Sequence, residues 1–184
     1  MDNFDEEFEW VRRTAEGDAK AFRKLADAHL GKITSFAYRM LHDRTEAEDV
    51  AQETFLKLWK EAGRFEPRAR VTTWLHRIAH NICIDRLRAR REEPKGEFED
   101  ERTSAEPGAL LDRKRTALDV ARALGELPER QRTAITLVHY QGLTNIEAAE
   151  VLEVGVDALE SLLARGRRTL REKLLDREPE EVRP

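Results

Sequence analysis

Cysteine occurs once in the 184 residues, at Cys83, so no disulfide can form within the chain and its stability has to come from packing. Aromatic residues are scarce at 7%, and no apolar run approaches the roughly 20 residues that a membrane-spanning helix needs. The start of the chain lacks the basic segment and apolar run of a secretory leader. Sustained alternation of apolar and polar residues is missing, which argues against large β architectures. A glycine-rich phosphate loop and a serine–histidine–acid arrangement are also absent. The expectation is an all-α cytoplasmic protein that inserts in no membrane, holds no cofactor or metal and is not an enzyme.

What the chain has in abundance is charge. Charged residues make up 38% of it against 40% hydrophobic, with a formal net charge of -4. Nucleic-acid binding depends on where charge sits rather than on its sum, and here the cations are segregated. Between Arg64 and Arg91 the only acids are Glu66 and Asp85, against Arg64, Arg68, Arg70, Arg77, Arg86, Arg88, Arg90 and Arg91. A second block holds Arg165, Arg167, Arg168, Arg171 and Lys173, opposed only by Glu172. Either patch alone reads equally well as a solvated helix face.

The patches are separated by an acidic stretch, residues 92–112, containing Pro94, Gly96, Pro107 and Gly108 and little apolar periodicity. It reads as a flexible linker between two small helical domains, residues 1–91 and 113–175, with a tail at 176–184. In the first domain Thr45 and Glu48 have the spacing of a capping box, and Val50, Phe55, Leu58, Trp59 and Ala62 form one buried stripe ending near Gly63. The opposite face presents Asp49, Gln52, Glu53, Leu56 and Lys60. That strip is either a docking face or a solvated face with one stray leucine. The next helix runs from about Thr73 to Arg90, with Trp74, Leu75, Ile78, Ala79, Ile82 and Cys83 at core spacing and Arg77, His80, Asn81 and Arg88 on the other face. The intervening loop, Arg64 to Thr72, mixes Phe65 and Pro67 with Arg68 and Arg70, a composition suited to stacking unpaired bases beside cations that follow phosphates. His76, His80 and Cys83 also share one strip of this helix and form a candidate zinc site that lacks a fourth ligand.

The second domain opens at Leu127-Pro128-Glu129, points Ile135 and Val138 inward and stops at Gly142. Thr144 and Glu147 form another capping box, opening a short helix that ends near Leu152. After the turn Glu153-Val154-Gly155 a longer helix repeats Leu159, Leu162, Leu163, Leu170 and Leu174. This is the layout of a helix-turn-helix, with an ordinary helical hairpin as the other reading. Its last helix directs Asp157, Ala158, Glu160, Ser161, Arg165 and Arg168 outward, where a recognition helix meets base edges and phosphates.

Three segments, 49–59 (DVAQETFLKLW), 73–87 (TWLHRIAHNICIDRL) and 127–132 (LPERQR), resemble in order and spacing the signatures of the extracytoplasmic-function sigma factors of bacterial RNA polymerase. The resemblance covers the chain apart from the linker and tail. It implies that the chain directs initiation at specific stress-response promoters. Residues 1–91 correspond to region two and 113–175 to region four. By the same resemblance Asp49, Gln52, Glu53, Leu56 and Lys60 dock on core RNA polymerase. Phe65, Arg68, Arg70, Thr72, Thr73, Trp74, Arg77, His80, Asn81 and Arg88 melt and read the minus-ten element. Asp157, Ala158, Glu160, Ser161, Arg165, Arg167, Arg168 and Arg171 contact the minus-thirty-five duplex, the arginines through phosphates. An anti-sigma factor is the implied regulator. Two departures stand out: Glu153 where the family commonly has a turn glycine, which predicts an altered turn, and Glu160 where it often has a basic residue. A free-standing helix-turn-helix regulator is the alternative.

Overall fold

The computed structural model describes residues 3–66, 69–92 and 110–175, and among these residues there is no β-strand. The first half contains α1 (Asn3–Ala15), α2 (Ala19–Leu41), α3 (Arg44–Glu61) and α4 (Val71–Glu92), with a single 3-10 turn at Ala62–Arg64. The second contains α5 (Leu110–Gly125), α6 (Glu129–Ile135), α7 (Asn145–Leu152) and α8 (Val156–Leu175). Leu110, Leu111 and Asp112, read above as the end of the linker, open α5. The rest of the linker from residue 93, and the tail at 176–184, lie outside the described residues.

Side-chain caps set several boundaries. Asp18 accepts hydrogen bonds from the Lys20 and Ala21 amides at 2.8 and 3.2 Å and starts α2. That helix ends at His42, which turns left-handed (φ 55°). The next residue, Asp43, caps α3 by accepting from the Glu46 amide at 2.8 Å. The capping box expected at Thr45 and Glu48 is therefore not formed: Asp43 reaches the free amides first and leaves Thr45 inside the first turn. Leu25, Ile33, Phe36, Met40, Val50, Leu58 and Leu75 fill the core of this half with no side-chain exposure. Truncating any of these leucines to alanine costs on the order of 2–5 kcal/mol. Trp59, expected in the buried stripe, is 38% exposed at its edge, packing edge-to-face on Phe22 at 5.2 Å.

In the second half Pro128, which has no amide to leave unpaired, precedes α6. The helix then widens into a π-turn, Thr136–Tyr140, closed by the Gln141 amide donating to the Thr136 carbonyl at 3.0 Å. Gly142 supplies the left-handed stop (φ 71°). The box at α7 is complete, the Glu147 amide donating to Thr144 Oγ1 at 3.2 Å and the Thr144 amide to Glu147 Oε2 at 2.8 Å. Glu153 ends α7 in the left-handed conformation (φ 53°, ψ 48°), so the turn keeps the shape a glycine would give it, contrary to the expectation of an altered turn. Across α6 and α8, a Cβ on Gly166 would lie 2.7 Å from Ile135 Cδ1, so a larger residue there requires Ile135 to shift.

The two halves pack on each other. Helix α4 lies against α7, and α2 against α5, α6 and the π-turn. The Thr133 hydroxyl, held by the Glu129 carbonyl at 2.9 Å, sits 3.6 Å from Met40 Sδ. The Arg39 guanidinium lies 4.3 Å from the Tyr140 ring centre. Arg91 pairs with Glu129 at 3.4 Å and Arg70 with Glu147 at 3.5 Å. Arg132, only 7% exposed, donates to the Gly125 carbonyl at 3.3 Å.

Candidate nucleic-acid interface

Where α3 runs out, the 3-10 turn delivers Phe65 between two rings: Phe8 of α1 at 5.3 Å and Trp74 of α4 at 4.8 Å between centroids. Tilted aromatic pairs at such distances are mutually attractive, so the loop side chain is held rather than left to swing. Beside it opens a pocket of about 390 Å³ lined by Arg64, Phe65, Glu66, Ala69, Thr73, Trp74 and Arg77, together with Glu150 of α7. Thr73 Oγ1 is buried there without a hydrogen-bond partner among the described residues. Two cations and an aromatic wall thus border the pocket, together with the carboxylates of Glu66 and Glu150.

Of the residues expected to meet the minus-ten strand, Phe65, Thr73, Trp74 and Arg77 converge on this pocket, and Arg70 lies exposed at its side, paired with Glu147. Arg68 lies outside the described residues. Val71 and Thr72, read above as the end of the loop, fall with Thr73 in the first turn of α4. The Thr72 carbonyl faces His76 Nδ1 at 2.8 Å; because a carbonyl only accepts, that ring nitrogen carries the proton. Trp74 and Thr73 are buried, at 9% and 3% exposure, and offer the pocket one face each. His80 turns toward the second half: burial, and secondarily the charge of Arg130, push its pKa down to about 4, which keeps the ring neutral. Asn81 and Arg88 are exposed farther along α4, Arg88 4.0 Å from Asp85. The sequence pattern did not point to Phe8, Arg64, Ala69 or Glu150. Arg64 had a signal, since it begins the basic block; Phe8 and Glu150 come from distant segments and had none.

The strip on α3 is an exposed surface. Asp49, Gln52, Leu56 and Lys60 are exposed, Glu53 half-buried, and Leu56 is 59% exposed. Arg86 of α4 reaches Asp49 at 3.9 Å and Glu53 at 3.7 Å, fixing the acidic end of the strip.

On α8, Asp157, Ala158, Glu160, Ser161, Arg165, Arg167, Arg168 and Arg171 are all exposed, while Leu159, Leu163 and Gly166 face the core. Glu160 accepts from Asn145 Nδ2 of α7 at 3.4 Å. Arg165 Nε donates to the Ser161 carbonyl at 3.2 Å. The proposed zinc strip does not assemble: among the described residues no three histidine, cysteine or acidic side chains stand close enough to hold a metal ion. Cys83 is fully buried, and desolvation pushes its thiol up to about 12. No described helix is long and apolar enough to cross a membrane.

Residues 25–93 match the Sigma-70 region 2 family and residues 117–170 match Sigma-70, region 4, so the helical fold with its helix-turn-helix is a sigma-type chain built from those two regions. The chain is 31% identical over 180 residues to the ECF RNA polymerase sigma factor SigW of Bacillus subtilis, covering 90% of this chain and 95% of the relative. To the ECF RNA polymerase sigma factor SigM of Mycobacterium tuberculosis it is 35% identical over 154 residues, 84% of this chain and 77% of the relative. It is similar to the solved structure of CnrH in complex with the cytosolic domain of CnrY (TM-score 0.75, 26% identity, 94% of this chain and 99% of that one). A second likeness is to the sigma factor RpoE in complex with the anti-sigma factor NepR from Bartonella quintana (TM-score 0.66, 26% identity, 88% and 100%). The chain belongs to the ECF family of RNA polymerase sigma factors, which disfavours the free-standing regulator.

Proposed function

We propose that residues 1–91 bind core RNA polymerase through the α3 strip and open the minus-ten element at the Phe65 pocket, while residues 113–175 seat α8 in the major groove of the minus-thirty-five duplex. The observation that carries this reading is the Phe8–Phe65–Trp74 stack beside a pocket flanked by Arg64 and Arg77. Drawing a base out of the duplex costs a few kcal/mol, and stacking on an aromatic wall returns about 1–3 kcal/mol per base. Strand opening then draws on binding free energy, and the chain performs no bond-making chemistry. On α8, Arg165, Arg167, Arg168 and Arg171 are placed to neutralise phosphates, and Glu160, steadied by Asn145, can accept from a cytosine amino group. The protein works in the cytoplasm with core polymerase and promoter DNA, and an anti-sigma factor restrains it; the solved RpoE–NepR complex supports the last point.

The test is association of the purified chain with core RNA polymerase, followed by transcription from a promoter library. Stoichiometric binding with new start sites, and loss of open complexes but not of core binding in Phe65→Ala, is the expected result. Open complexes unchanged in Phe65→Ala would remove the pocket from strand capture.

A further inference from the structure

The arginines between Arg64 and Arg91 form one basic block in sequence, and the fold divides them. Along α4, Arg88 and Arg91 have 69% of their side chains exposed, whereas Arg86 and Arg90 have 27% and 25%. The less exposed two turn onto α3. Arg90 meets Glu46 Oε1 at 2.6 Å and donates to the Leu41 carbonyl at 3.1 Å, anchoring the junction of α2 and α3. One turn earlier, Arg86 donates to the Glu46 carbonyl at 3.3 Å and stands 3.9 Å from Asp49 Oδ2 and 3.7 Å from Glu53 Oε2. At about 3.6 residues per turn, Arg86 lies on roughly the opposite side of α4 from Arg77, which lines the pocket.

Two carboxylates one turn apart on a helix repel each other, and unrestrained acidic side chains spread over several rotamers. Arg86 is within reach of both and offsets that repulsion. Glu53 is gripped from two sides, Oε2 by Arg86 and Oε1 by Lys57 at 3.5 Å. Asp49 meets Arg86 through Oδ2 and, with 56% of its side chain exposed, keeps an open side for a partner. Taking the α3 strip as the surface that docks on core polymerase, as proposed above, we infer that Arg86 is its positioning residue: the guanidinium serves docking and not DNA, and holds Asp49 and Glu53 in the arrangement that polymerase meets. A strip ordered before association loses less side-chain freedom on docking, and leaving one such side chain unordered lowers affinity by a factor of roughly 2 to 10. The helix that carries the strand-facing Arg77 thereby also sets the docking surface.

The test is the affinity of the full chain for core RNA polymerase, read by competition with a parent chain labelled at its N-terminus. Arg86→Met removes the charge and keeps the aliphatic stem. Arg86→Lys restores a cation, which suffices because contacts of 3.7 and 3.9 Å are those of a shared charge rather than of a directed guanidinium fork. Arg122→Met, on the exposed side of α5, controls for the loss of one cation. The expected result is that Arg86→Met binds core roughly 3- to 10-fold more weakly, while Arg86→Lys and Arg122→Met bind close to the parent. Once Asp49 and Glu53 are both replaced by alanine, Arg86→Met should cost little more, as coupled residues require. Holoenzyme formed at saturating Arg86→Met should bind promoter with the parental salt dependence. Full core affinity of Arg86→Met, or the same loss in the chain lacking both carboxylates, would overturn the positioning role and leave the docking strip standing. A salt slope smaller by about 0.7 would overturn it as well, placing Arg86 on a phosphate. Unchanged core affinity after removal of Asp49 and Glu53 would bring down the docking strip and this inference together.

Discussion

Glu153 holds a left-handed backbone that costs a residue with a side chain on the order of 1 kcal/mol relative to glycine. Glu153→Gly is expected to raise stability by about that amount without altering DNA binding, read as a higher urea midpoint with unchanged slope. Gly166 is the reverse case. A methyl there meets Ile135 Cδ1 at 2.7 Å, and Gly166→Ala is expected to destabilise the second half by roughly 1–3 kcal/mol as Ile135 is displaced. Burial holds His80 and His29 neutral, each with a pKa of about 4; Glu7, 3.4 Å from His29, is itself pushed up by burial and does not keep that ring charged. In the unfolded chain both rings titrate near 6.5, so their contribution is intact above that pH and is lost as the pH falls toward 4. Stability is expected to fall by about 1.4 kcal/mol per pH unit for each histidine across that window, measurable as urea midpoints at pH 7 and pH 5.

On α3, Leu56→Asp and Asp49→Arg change exposed side chains and are expected to alter stability by less than about 0.5 kcal/mol while weakening association with core polymerase; full affinity in both would clear the strip of that role. On α8, replacing Arg165 and Arg168 by alanine is expected to reduce the slope of log affinity against log salt by about 2, since each phosphate contact contributes about 0.9. The helix-turn-helix was legible in the sequence because its signals are local: the Thr144–Glu147 box, Gly142 and the leucine spacing of α8 each act within a few residues. So was the buried face of α4, from Trp74 to Cys83. Helices α1 and α2 were not separated, because the cap at Asp18 is an ordinary surface aspartate until its neighbours' amides are seen. The Thr45 box misled because Asp43 supplied a competing cap two residues earlier. The π-turn at Thr136–Tyr140 has no sequence mark, yet it leaves Tyr140 41% exposed and within reach of Arg39.

The cleft joins segments far apart in the chain: Phe8 from α1, Phe65 and Arg77 around the start of α4, Glu150 from α7. No periodicity within one helix could reveal that grouping, since it depends on how the halves meet. The buried side of α8, by contrast, is complete in itself. Leu159, Leu163 and Gly166 seat the helix, and none of them belongs to the outward set from Asp157 to Arg171. Mutations that rewrite the outward set leave the seating intact, so the exposed face of this helix can be changed one residue at a time, each step passing through a folded intermediate.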